Sequence, residues 1–373
     1  MLAIMRYAPP APPPGAADLR PPPRAAGTAA TLDDDTDPPP SGEAVEPLAE
    51  ADAVLRAEVP AATAGERLDK VLAALFPQFS RSRLKSWCEA GLVSAAGVPL
   101  APRAKARAGA RIELRVPTDA EASSFTAEPV PLRVLWHDDV VAVIDKPAGL
   151  VVHPAAGNWS GTLLNGLLAR FPGSAALPRA GIVHRLDKDT SGLLVVALSL
   201  AAQTDLVRQL QARSVSRQYL ALAWGELSAA RSVDAPIGRH PRDRLRMAVV
   251  ASGKPARTHF EPLATLSTPA GAITAMRCRL DTGRTHQIRV HAQHLGLPLV
   301  GDALYGRRGA PTTSAPWDLL ARQALHAAVL SFDHPRDARR LSFVAPVADD
   351  VRALWLALGG DAAVLAVDAW SRG

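Results

Sequence analysis

Apolar positions recur along this chain with two different spacings, and the places where one spacing gives way to another divide it into parts. From Glu66 onward, Leu68, Val71, Leu72 and Leu75 fall at i, i+3, i+4 and i+7, which is one face of an amphipathic helix. Phe76-Pro77 ends that helix, because proline lacks the N–H that a continuing turn needs. Ser80 is placed to cap a second helix that buries Leu84, Trp87 and Cys88 and stops at Gly91. Short β-prone pieces follow at 92–93 and 112–116, with turns at Gly97 and Gly109. The order helix, helix, hairpin defines a small module over 64–117.

Residues 118–130 are small, polar and bounded by proline, the composition of a linker. Beyond them lie β-type runs at 132–136, 140–144, 193–197, 218–224, 272–280 and 328–332. Helical patterns fall at 162–170, 201–213 and 286–294, and a closing amphipathic helix at 349–358. Strands predominate and no βαβ repeat is visible. The expectation is an α+β domain over 131–362 with a mixed, largely antiparallel sheet, followed by a tail at 363–373.

Residues 1–57 show no apolar period. They hold runs of proline and alanine and predict a disordered extension. They carry 4 Lys/Arg against 9 Asp/Glu, which leaves +11 on residues 58–373 within a whole-chain +6. A body that basic suits a polyanionic partner. Between Arg81 and Arg115 eight basic residues (Arg81, Arg83, Lys85, Arg103, Lys105, Arg107, Arg111 and Arg115) face only Glu89 and Glu113. Arg81 and Lys85, four apart, share a helix face. A one-sided cluster on so small a unit points to phosphate contact, against the plainer reading of a solvated charged surface.

Cys88 and Cys278 are far apart, with no CxxC and no metal-type spacing, which argues against a disulfide scaffold or structural zinc. The apolar start is cut short by Pro9, and no apolar run reaches about 18 residues, so neither a signal peptide nor a membrane span is expected. A cytoplasmic protein, acting as a monomer, is the simplest expectation.

The densest set of reactive side chains is HRLDKDTSG at 184–192, in a connection between β-type runs at 181–183 and 193–197. Five ionisable groups within six residues, held between strands, are poor core material. By themselves they fit a solvated turn better than a site.

HRLDKDTSG resembles, position for position, the signature of the RluA-type family of pseudouridine synthases. DKPAGLVVHPAAGN (145–158), GTLLN (161–165), SRQYLALAWG (216–225), GKPARTHF (253–260), TGRTHQIRVH (282–291) and LVGDALYG (299–306) are similar to family segments in the expected order. SRSRLKSW, at the second helix of the basic module, resembles the small S4-like RNA-binding domain. The resemblance implies the pseudouridine synthase fold and isomerisation of uridine to pseudouridine in RNA. Within the family, the segments around HRLD and the RHP at 239–241 look most like members that modify the helix 69 stem-loop of large-subunit (23S) ribosomal RNA. The ribosomal RNA, or an assembling subunit, is the partner so implied.

The reaction breaks the bond from uracil N1 to the ribose and rejoins the base through C5. It gains no electrons or groups, so no cofactor or metal is expected. It needs a carboxylate near the glycosidic carbon. By the resemblance Asp187 is that group, Arg289 its basic partner, and Tyr219 the ring that stacks on the target uracil. Arg185 then fills the space left by a flipped nucleotide. Asp189 falls at a variable family position and is assigned a structural or solvent role. His184, His153, Lys146 and Asn158 are expected to line the pocket or position loops.

Three alternatives remain at this point. One is the same chemistry on another ribosomal or transfer RNA site. Another is a ribosome-assembly factor that binds RNA without catalysis. The last is a nucleoside hydrolase or glycosidase, which would call for paired carboxylates flanking a sugar.

Overall fold

The computed structural model describes residues 3–6, 53–76, 79, 81–116, 125–155, 158–243, 245–311 and 314–367. These fall into two units.

The smaller unit holds a four-stranded antiparallel sheet and two helices. Its elements are β2 (Ala53–Glu58), α1 (Leu68–Leu75), α2 (Arg81–Glu89), β3 (Val93–Ala95), β4 (Val98–Pro99) and β5 (Arg111–Val116). The helical face read from the spacing is the buried one: Leu68, Val71, Leu72, Leu84, Trp87 and Cys88 form one core with Ile112 and Leu114. The unit starts earlier than residue 64, because β2 pairs with β5 from Ala53↔Val116 to Glu58↔Arg111. In β2 only Val54, Leu55 and Val59 just beyond it are strongly β-prone, too short a signal to stand out beside a proline-rich stretch.

The larger unit is built on one mixed sheet. In chain order its elements are β6 (Arg133–His137), β7 (Val141–Lys146), α3 (Leu163–Arg170), β8 (Ser191–Ala197), α4 (Leu200–Gln211), β9 (Ser216–Trp224) and β10 (Arg231–Asp234). A separate hairpin of β11 (Ile237–Arg239) and β12 (Met247–Val249) follows. Then come β13 (Arg257–Thr268), β14 (Gly271–Leu280), α5 (Gln287–His294), β15 (Leu325–Asp333), β16 (Arg340–Val344) and α6 (Asp349–Ala357). The strands lie in the order β10-β13-β14-β9-β15-β8-β7-β6, and most neighbours are antiparallel, as expected from the sequence; β15 runs parallel to β8. β16 adds beyond β15, and β1 (Ala3–Arg6) pairs in parallel with β16. The extension expected over 1–57 therefore contains strands at 3–6 and 53–58, and the rest of it lies outside the described residues.

Alternation on β9 sorts the core, because successive side chains leave opposite faces of a strand. Tyr219, Ala221 and Ala223 join α3 and α5 on one face. Leu220, Leu222 and Trp224 join α6 on the other. The expected tail is not all tail, since Leu365 and Val367 are buried in that second cluster. The distal half of the expected linker also packs on this unit: Glu128 N–H donates to Asn165 O at 3.1 Å, and Asn165 Nδ2 donates to Thr126 O at 2.9 Å. Residues 178–181 form a 3-10 turn, where a β-type run had been expected from 181. Ile182 makes only an isolated bridge to Val196. Among the described residues no helix is long and apolar enough to cross a membrane.

Candidate active site

HRLDKDTSG enters β8 as a tethered loop, and two of its carbonyls, those of Lys188 and Asp189, are held by buried side chains from elsewhere. Lys146, at the end of β7, is fully buried and donates through Nζ to Pro147 O (2.8 Å), Leu150 O (2.9 Å) and Lys188 O (2.8 Å). Burial draws its pKa down to about 7. Gly149 N–H also donates to Lys188 O, at 2.9 Å. Arg322 donates to Asp189 O at 3.0 Å while gripping Asp350 through Nε and Nη2 at 2.6 and 2.7 Å. His184 Nε2 accepts from Val195 N–H at 3.1 Å, and burial first, then the charge of Arg217, lowers its pKa to about 3. His184 is thus a neutral structural acceptor. Lys146 is a loop clamp and does not line the cleft, and Asn158 pairs with Ala155 outside it.

At Gly192 the loop becomes strand, with φ +110°. A Cβ there would stand 2.2 Å from Ala327 O on β15, so only glycine lets β8 approach β15 at the base of the site.

The Asp187 carboxylate opens on a cleft of about 610 Å³. Arg289, in the first turn of α5, donates from Nη1 to Asp187 Oδ2 at 3.1 Å. The pairing expected from sequence is therefore present across 102 residues of chain. Its geometry depends on a residue the sequence reading did not single out. Asp302 takes the other edge of the same guanidinium, Nε at 2.7 Å and Nη2 at 2.8 Å. Asp302 Oδ1 also accepts the N–H groups of Leu304 and Tyr305, at 2.9 and 3.0 Å. Burial disfavours the charge on Arg289, but hydrogen bonds and charge from Asp302, then Asp187, outweigh it and raise the pKa. The Tyr305 ring lies 4.9 Å from the Arg289 guanidinium carbon, a cation–π contact on its face. One clue was available in the sequence: Asp302 is the lone charged residue in the otherwise apolar LVGDALYG.

His286 caps α5 in the left-handed region, φ 55°. It shapes that turn and also reaches the site, with Nε2 4.0 Å from Asp187 Oδ1. Its Nδ1 meets the Tyr305 hydroxyl at 2.8 Å, and that oxygen accepts Met247 N–H at 2.7 Å. With the hydroxyl donating to Nδ1, the imidazole proton sits on Nε2, toward Asp187. Burial holds His286 below its ordinary pKa against the pull of Asp187.

Tyr219 lies on a central strand between Cys278 of β14 and Ala327 of β15, and it lines the cleft. Burial pushes its pKa up to about 12, so the phenol stays protonated. Arg185 is exposed at the cleft wall. His153 also lines it, its pKa lowered to about 4 by burial and then by Arg179 and Arg185.

In the smaller unit the basic residues are less free than their spacing suggested. Arg81 grips Asp69 through Nε and Nη2, at 3.2 and 2.9 Å, so it locks α2 to α1. Lys85 pairs with Glu89 at 3.4 Å. Arg103 and Lys105 are exposed. The Arg83 side chain lies outside the described residues.

The cleft thus brings together a carboxylate paired with a buried arginine and a tyrosine on a central strand. A family model described as RNA pseudouridylate synthase matches residues 140–294, which include all three groups. The chain is 50% identical to "Ribosomal large subunit pseudouridine synthase D" of Xanthomonas campestris over 330 residues, 87% of this chain and 97% of that protein. It is 51% identical over 301 residues to the protein of the same name from Nitrosomonas europaea, covering 80% of this chain and 86% of that one. The structure of Human RNA Pseudouridylate Synthase Domain Containing 1 aligns with a TM-score of 0.47 at 29% identity, over 59% of this chain and 85% of that one. The chain belongs to the RNA pseudouridine synthase family and is therefore an isomerase. The relatives it matches over most of their length carry the name of the D-type enzyme of the large ribosomal subunit.

Proposed function

We propose that this enzyme converts uridines to pseudouridine in large-subunit (23S) ribosomal RNA, at the helix 69 loop. The observation that carries the chemistry is the Asp187–Arg289 pair opening on the cleft that Tyr219 lines. The target class is supported by relatives at 50 and 51% identity whose names specify the large ribosomal subunit.

In this reading a flipped uridine enters the cleft and stacks on Tyr219. Stacking one base is worth about 1–3 kcal/mol and offsets part of its unstacking from RNA. Asp187, kept as carboxylate by Arg289, meets the sugar–base junction as the N1–C1′ bond breaks. The base turns, C5 bonds to C1′, and the hydrogen from C5 is lost as N1 regains one. No cofactor enters this balance. Arg185 at the cleft wall fills the gap in the RNA stack. The paired carboxylates of a glycosidase find little support: Asp302 is shielded behind Arg289, and Asp281, the other acidic residue lining the cleft, is paired with His259. Mapping pseudouridines in ribosomal RNA from cells with and without the gene tests the target. Loss at helix 69 uridines is expected, and an unchanged helix 69 removes the assignment.

The smaller unit is proposed to be an S4-like RNA-binding domain, with exposed Arg103 and Lys105 among its phosphate contacts. Removing residues 53–116, the whole unit including β2, is expected to weaken RNA binding. It should also lower the slope of log Kd against log salt by about 0.7–0.9 per lost phosphate contact. An unaltered slope excludes the role.

A further inference from the structure

Arg217 is one of several cleft arginines to which the proposed function gives no task. It stands on β9 two residues before Tyr219, so both side chains leave the same face of the strand, roughly 7 Å apart along it. The residue is 8% exposed, yet its Nε is buried with no hydrogen-bond partner, and no described acidic side chain lies within ion-pair distance. Other buried arginines of this unit are built differently: Arg289 has Asp302 and Asp187, and Arg322 has Asp350. A guanidinium withdrawn from water and left unpaired is costly unless something arrives to pair with it.

The surroundings specify an anion. Arg179, Arg185, Arg213 and Arg284 line the same cleft, whose only acidic lining residues are Asp187 and Asp281. Asp187 is engaged by Arg289, and Asp281 by His259 at 3.0 Å. The loop before α5 makes room for the guanidinium: a Cβ on Gly283 would stand 2.8 Å from Arg217 Nη1. Gly283 has no positive φ to explain it, so its lack of a side chain is accounted for by this approach.

We infer that Arg217, seated against Gly283, binds a phosphate of the RNA backbone next to the flipped uridine, and so sets how deeply the base enters beside Tyr219. This rests on the enzyme acting on a flipped uridine in RNA. The separation along the strand between Arg217 and Tyr219 is comparable to that between a nucleotide's base and its own phosphate. A planar guanidinium can hold two phosphate oxygens at once, which fixes orientation as well as position.

The test uses the full-length protein and a stem-loop carrying the uridine that mapping in the deletion strain identifies. An error in the helix 69 assignment then changes the oligonucleotide and not the experiment. In the wild type, a neutral methylphosphonate placed 5′ or 3′ of that uridine is expected to raise Kd about tenfold at one of the two positions. Arg217→Gln should raise Kd about tenfold on unmodified RNA, lower the salt slope by about 0.7–0.9, and be indifferent to that same replacement. Arg217→Lys should restore the slope. Gly283→Ala should show the same signature at smaller amplitude. It asks only the tip of a flexible side chain to move, so it decides the question even where Arg217→Gln fails to fold. Full sensitivity of both Arg217→Gln and Gly283→Ala to each flanking methylphosphonate overturns the inference. So does a loss of turnover rate with phosphate sensitivity intact, which would assign Arg217 to the base instead.

Discussion

Asp187→Asn is expected to lower pseudouridine formation by about 10³-fold or more, the scale lost when a group acting directly on the reacting atoms is removed. RNA binding should hardly change. The substitution keeps the shape of the side chain, and the buried Arg289 retains both its bonds to Asp302. The loop also keeps its place, since its tethers run to the backbone of Lys188 and Asp189 and to the ring of His184, none of which needs the Asp187 charge. Single-turnover tritium release from uridine labelled at C5, beside a Kd from filter binding, separates the two effects. Equal losses in rate and affinity would mean that Asp187 is a binding group, and would reopen the reading of the chain as an RNA-binding assembly factor.

Asp302→Asn carries the largest expected effect on stability, about 3–5 kcal/mol, the range for breaking a buried ion pair at one partner. The side chain of Asp302 is fully shielded and that of Arg289 is 6% exposed, so the guanidinium, left with Asp187 as its one carboxylate partner, has no easy route to water. Activity should fall as well, because Arg289 would no longer be held from behind while it faces Asp187. Urea unfolding should show the loss in its midpoint. A midpoint equal to that of the wild type would show that Arg289 is positioned by other means, with Tyr305 and the start of α5 the remaining candidates.

Much of the helical structure was legible in the sequence, because its apolar spacing is unambiguous: the patterns at 162–170 and 286–294 became α3 and α5 within a residue or two. Strands read well where both faces are buried, as in β7, β8 and β9. They were missed where one face is wet or the run is short. β13 carries proline and several polar residues across its twelve positions, and β10 and β11 have only four and three residues each. β2 was hidden by its neighbourhood, since a strand's partner cannot be read from local composition.

The site divides in the same way. Asp187, Tyr219 and Arg289 were singled out through motif likeness, and the cleft brings them together. Asp302, His286 and Arg217 matter through what they face across the fold. Spacing along the chain carries no information about an approach such as that of Arg217 to Gly283. The basic helix of the smaller unit was over-read for a related reason: Asp69 lies 12 residues before Arg81, and only the packing of α1 on α2 brings the two together.

Lys146 has a consequence for how substrate is received. Three carbonyls, two from the turn after β7 and one from the HRLDKDTSG loop, converge on its one side-chain nitrogen, much as they would converge on a bound metal ion. The turn bearing Asp187 is therefore set before any RNA arrives, and docking need not freeze it. Under the proposed function what ordering remains falls on the nucleic acid, and RNA loops that unstack a uridine readily are expected to react faster than those that do not.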